Sequence, residues 1–179
     1  MPVSPTQALT LFSRGSAQCT NGASPTIVRH ELGHAFASAL PLLDPNTAAD
    51  YSGFQEGVAD AVAALSMATP CLGRDFLGAG AGCFRDLTAP HLLYPVANND
   101  PHLRGLPLAA SFWDLYTYLG ANPQAQMIVS ALFLNALWVN QTGLDPRIYL
   151  DVQRADLVLF SGRHRRLIHA AFARHHLVP

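Results

Sequence analysis

The stretch Ser24-Pro25-Thr26-Ile27-Val28-Arg29-His30-Glu31-Leu32-Gly33-His34 decides the reading of this chain. Serine followed by proline is a helix-start signal: a serine oxygen can cap orphan amides, and proline at the first helical position needs no donor. The helical pattern continues to about Leu40, where Pro41 stops it. His30 and His34 stand four positions apart within it. At about 100° per residue they fall within about 40° of each other, so both imidazoles project from one face and can hold one metal ion. Glu31, beside them, is placed as a general base for metal-assisted hydrolysis rather than as a ligand. With eight His and two Glu in 179 residues the pattern arises by chance about 0.4% of the time, so two solvated histidines and a surface Glu explain it poorly.

A catalytic zinc needs a third protein ligand and an open position. Ten of the 12 acidic residues are Asp, and the one Glu besides Glu31 is Glu56, which lies 22 positions beyond His34. It sits in Tyr51-Ser-Gly-Phe-Gln-Glu56-Gly-Val-Ala-Asp60, at the front of a second helix predicted over Phe54–Met67. Taken alone, Glu56 is also explained as a charge favoured by a helix N-terminus. With the two histidines it completes a ligand set, and Asp60, one turn further on, is placed to accept the second ring N–H of His30.

The rest of the chain sets the frame. At 19.2 kDa it is a single domain spanning 1–179, and 50% hydrophobic against 13% charged residues describes a well-buried globular protein. A net charge of -1 with no basic tract argues against nucleic acid or an anionic membrane surface as the main partner. The longest apolar run, Ala125–Val139, is too short for a membrane span and reads as a buried helix. Met1–Gln7 has neither a charged nor an apolar leader region, so no signal peptide is expected in this chain. Cys71 and Cys83 bracket a glycine-rich stretch, which fits a loop-closing disulfide and two free thiols equally well.

Further elements follow from periodicity and punctuation. Leu9–Phe12 reads as a short strand, Pro41–Asp50 as a loop and Pro70–Asn99 as a long irregular connection. Helices are predicted over Leu106–Leu119, Pro123–Val139, Pro146–Phe160 and Arg163–His175. His164, His169, His175 and His176 then lie on a solvated Arg/His-rich helix, and neither they nor His91 is given a role. The fold class is mostly α.

At this point the chain resembles the gluzincin metallopeptidases, and within them the thermolysin and fungalysin branch. That branch follows HExxH with a helix carrying ExxxD, matched by Glu56 and Asp60. The aminopeptidase branch, with its NEGFA context and no such Asp, fits less well. Asp100-Pro101-His102-Leu-Arg-Gly105, with Trp113-Asp114-Leu115 after it, is similar to the fungalysin DVHxxG segment and the helix that follows. The match runs from about Leu9 to the C-terminus. It implies zinc, one per chain, on His30, His34 and Glu56, with Glu31 as general base. It also implies that His102, held by Asp100, supports the oxyanion.

The resemblance also implies a zincin-like catalytic domain with a reduced or missing N-terminal β-subdomain, since about 29 residues precede His30. A peptide or protein would be the substrate, met outside the cell or in the cell envelope as for the related exported peptidases. Two family features are not placed. The substrate-binding Arg is open among Arg74, Arg85 and Arg104, and the only Tyr between His34 and Glu56 is Tyr51. The alternative function is a catalytically weak or inactive zinc-binding remnant acting as a binding or structural module.

Overall fold

A computed structural model describes residues 24–179. The expected strand Leu9–Phe12 and Cys19 lie outside the described residues. Six helices and one two-stranded ladder follow in order: α1 (Pro25–Ser38), α2 (Tyr51–Met67), β1 (Cys71–Leu72), β2 (Arg85–Asp86), α3 (Pro101–Tyr118), α4 (Pro123–Val139), α5 (Ile148–Phe160) and α6 (Arg165–Arg174). The mostly helical class is therefore observed.

Prolines or side-chain caps mark the starts of α1, α2, α3 and α4. Proline opens α1, α3 and α4. Asp100 and Asn122 accept from the amides of His102 and Ala125, satisfying donors that a helix N-terminus leaves orphaned. Asp50 caps α2 through the Gly53 amide. Ser24 makes no side-chain cap bond, and its hydroxyl lies by that of Thr26 instead.

Two expected boundaries move. α2 begins at Tyr51, three residues before Phe54. α3 begins at Pro101, not Leu106, so the Asp100–Gly105 segment is a helix start and not a loop. Pro107 stands inside this helix; the i–4 hydrogen bond it cannot donate is one bond lost, which the burial of nearly every residue from Gly105 to Tyr116 outweighs.

α2 and α3 form the centre. α1 packs on α2, α6 and α4 pack on α3, and α5 packs on α4 and α6. Glycine makes the close crossings possible. A Cβ at Gly57 would stand 2.6 Å from the Gly105 carbonyl oxygen, and one at Gly105 would meet the Gly57 amide, so α2 and α3 touch backbone to backbone. Gly33 does the same for α1 against Ala59 of α2. This draws the HExxH helix onto the residue just before Asp60.

The stretch expected to be irregular holds the ladder. Leu72 pairs with Arg85 and Cys71 with Asp86, and Cys71 is bridged to Cys83 with Cα atoms 5.1 Å apart. The Gly73 amide donates to Thr26 Oγ1 over 2.8 Å, fastening this loop to α1. At the other end, the Ala49 amide donates to the Thr142 carbonyl and the Ala49 carbonyl accepts from the Leu144 amide, tying the start of α2 to the α4–α5 connection.

Candidate metal centre

His30 and His34 project from α1 and Glu56 from α2, and the helix crossing at Gly33 brings them together. His30 Nε2 lies 3.1 Å from His34 Nε2 and 3.1 Å from Glu56 Oε2, and His34 Nε2 lies 3.6 Å from the same oxygen. Ligand atoms on a tetrahedron with bonds of about 2.1 Å stand roughly 3.4 Å apart, so the three atoms have the spacing that a shared ion requires.

One atom tests the fit. Glu56 Oε2 is buried and has no hydrogen-bond partner among the described residues, although three imidazole nitrogens surround it. A buried carboxylate oxygen without a donor is costly unless a cation meets it. The donor set of two imidazoles and a carboxylate suits a divalent ion held on three protein ligands.

The groups behind the ligands are ordered as well. His30 Nδ1 donates to Asp60 Oδ1 over 2.6 Å. Asp60 is fully buried and also receives Arg85 through Nε at 2.9 Å and Nη2 at 2.7 Å. The bidentate guanidinium keeps a carboxylate charged where burial would otherwise neutralise it. Burial pushes the Asp60 carboxyl up, but the His30 hydrogen bond and the Arg85 charge outweigh it and hold the group below the usual range.

His30 is pulled both ways. Burial pushes it down, and the Asp60 hydrogen bond, with the carboxylate of Glu56 close by, more than reverses this, raising it to about 9. Burial and the neighbouring His30 push His34 down, toward the neutral ring that metal ligation needs. Glu56 is lowered: burial opposes ionisation, and the close approach of His30 with the charges of His34 and His102 outweighs it.

The other sequence-predicted residues are also near. Glu31 is half-buried and has no hydrogen bond or ion pair with another described residue. His102, in the first turn of α3, places Nε2 3.3 Å from Glu56 Oε2 while Nδ1 bonds to Asp100 Oδ1 at 2.8 Å. It stands outside the set whose ligand atoms all lie within 4.8 Å of one another. Asp100 thus caps α3 and orients His102 with the same oxygen. The Tyr51 hydroxyl receives Gln55 Nε2 over 2.7 Å.

Among the three candidate arginines, Arg85 is the one that meets the site. Arg104 instead binds Asp50 through Nε at 2.8 Å and Nη2 at 2.9 Å, and donates to the carbonyls of Asn98 and Asn99. The expectation of a solvated histidine face on the C-terminal helix needs correction. His175 is buried, with Nε2 3.0 Å from Asp114 Oδ2 and Nδ1 2.7 Å from the Leu92 carbonyl, and His164 is held by the buried Asp156 at 2.8 Å. No protein-family model and no curated protein matches the chain.

Proposed function

We propose that the protein is a zinc-dependent peptidase of gluzincin type, built on a zincin-like, mostly helical domain. The observation that carries this is the buried, donor-less Glu56 Oε2 within ligand spacing of His30 and His34, next to a glutamate with no partner of its own. His30, His34 and Glu56 would hold the ion. When bound, zinc supplies Lewis acidity, which polarises a scissile carbonyl and makes water nucleophilic at neutral pH.

The remaining chemistry belongs to the chain. Glu31 accepts a proton from the attacking water as its oxygen bonds to the carbonyl carbon, and returns that proton to the nitrogen as the C–N bond breaks. His102 presents Nε2 beside the ligand set, 3.3 Å from Glu56 Oε2, is fixed by Asp100 at Nδ1, and donates from Nε2 to the carbonyl oxygen as charge gathers there. Asp60 and Arg85 hold the His30 ring so that Nε2 points at the ligand set.

The test is zinc content of the purified chain by metal analysis, with hydrolysis of a quenched-fluorescent peptide library before and after chelation. One zinc per chain with chelator-sensitive cleavage supports the reading. Zinc without cleavage leaves the binding-module alternative, and a chain that takes up no zinc removes both.

A further inference from the structure

The net charge of -1 conceals a division. Residues 147–179 carry six arginines and two aspartates, a balance of +4, whereas residues 24–146 carry four arginines and ten carboxylates, a balance of -6. All six, Arg147, Arg154, Arg163, Arg165, Arg166 and Arg174, are exposed. Three of the six meet a carboxylate, Arg147 with Asp145 at 2.7 Å, Arg174 with Asp114 at 3.4 Å and Arg154 with Asp151 at 3.9 Å, and Asp156 is buried on His164. Arg163, Arg165 and Arg166 have no ion pair with any described residue.

α4 and α5 also expose large apolar side chains. α4 has no charged residue from Pro123 to Val139, yet it leaves Met127 (69% exposed), Leu134 and Trp138 (56%) on one stripe, at i, i+7 and i+11. α5 adds Leu150, Leu157 (66%) and Val158 (80%). Arginines and apolar groups share the surface grooves. One groove joins Met127 and Phe160 to Arg163, and another joins Leu150 and Leu157 to Arg154 and Arg165. Exposed apolar groups gathered with basic ones, rather than scattered singly, mark an interaction surface.

The occupant must accept both features. A second copy docked by a two-fold axis would match the patch with itself and set these arginines against one another, so self-association on this face is disfavoured. An anionic bilayer matches both. Its phosphates take arginine forks, its acyl boundary takes leucine and valine, and an exposed tryptophan settles at the interface between them. We infer that the outer face of α4, α5 and α6 is a docking surface for anionic phospholipid. It leaves the metal centre accessible, because that centre is built from α1, α2 and the first turn of α3, whereas α5 and α6 pack on α3, α4 and each other. The inference is independent of the peptidase reading and needs no metal.

The experiment is co-sedimentation of the full chain with vesicles of equal parts phosphatidylglycerol and phosphatidylcholine, and with pure phosphatidylcholine vesicles. Binding to the anionic vesicles alone is expected at low salt, with release at about 0.5 M salt, where screening is short-ranged. Trp138 emission should shift blue on binding. Trp113 is buried, so Trp138→Phe should abolish the shift. Each arginine near the surface contributes roughly 5-fold, so joint Arg163→Gln, Arg165→Gln and Arg166→Gln should weaken partitioning roughly 100-fold, with circular dichroism checking the fold. No binding to anionic vesicles at low salt overturns the inference, as does unaltered binding by a folded triple variant or bound protein with unshifted Trp138. Equal affinity for soluble polyglutamate would point to an acidic protein partner and also overturn it. If the triple variant does not fold, the lipid-charge, salt and Trp138 arms decide.

Discussion

Two buried histidines, His30 and His175, each lean on an aspartate, and they differ in what is left over. His30 gives Nδ1 to Asp60 and turns Nε2 toward the two other groups of the ligand set, 3.1 Å from His34 Nε2 and 3.1 Å from Glu56 Oε2. His175 spends both nitrogens, one on the Leu92 carbonyl and one on Asp114. The first pair aims a ring nitrogen at two other metal-ligating side chains; the second is a strut between α3, the end of α6 and the loop before Tyr94. Burial and an Asp partner therefore do not identify a functional histidine. What the second nitrogen faces does.

The largest expected effect isolates the chemistry from the ligands. Glu31→Gln should lower peptide hydrolysis by roughly 10²- to 10⁴-fold, the usual contribution of a general base, with zinc content unchanged. Loss of zinc in that variant would make Glu31 a ligand and break the division between ligand set and base.

Next comes the strut. Asp114→Ala removes one member of a buried pair and leaves His175 without its partner, so stability should fall by about 3 kcal/mol in denaturant melts. Zinc affinity should stay as it was. The converse variant, Asp60→Ala, should weaken zinc retention by roughly 10- to 100-fold in competitive chelator titrations, because the His30 ring is freed to turn. If Asp114→Ala weakened zinc binding as much as Asp60→Ala, the two histidines would not differ in the way drawn above.

The sequence makes half of this comparison legible. The spacing of His30 and His34 is a local helical property, and Glu56 with Asp60 repeats the same one-turn logic on α2, so the ligand face can be read before any tertiary contact is known. Arg85 cannot be read that way. It reaches Asp60, 25 positions away, from a two-residue strand set by the Cys71–Cys83 bridge and the Thr26–Gly73 bond, and no local period marks it among three similar arginines. His175 is hidden for the same reason: its neighbours His176 and Arg174 are solvent-facing, and Asp114 lies 61 positions away. The start of α3 was in principle legible. Asp100-Pro101 repeats the cap-and-proline signal of Asn122-Pro123, but Pro107 inside the run reads as a break until burial outweighs it.

The smallest expected effect concerns a residue that touches neither histidine pair. Arg104 binds Asp50 at the start of α2, the Ser52 hydroxyl, and the carbonyls of Asn98 and Asn99. Asn98 in turn accepts from the Asp100 amide, and Asp100 holds His102. Arg104→Gln should therefore loosen the segment that aims His102 while leaving His30, His34 and Glu56 in place. If His102 acts only as charge develops, kcat should fall by about 3- to 10-fold with KM little changed. A second readout carries a definite sign. Burial pushes the Asp50 carboxyl up, and the Arg104 bonds with the Gly53 amide outweigh it, so Asp50 is lowered in the folded chain. A lowered carboxyl contributes stability above its unfolded value near 3.8 and loses it as pH falls through the folded value. Wild type should then be more stable than the variant near neutral pH, with the two melting curves drawing together as the solution is acidified through that range. A gap that stays constant with pH, or a change confined to KM, would show that Arg104 packs the loop without governing where His102 points.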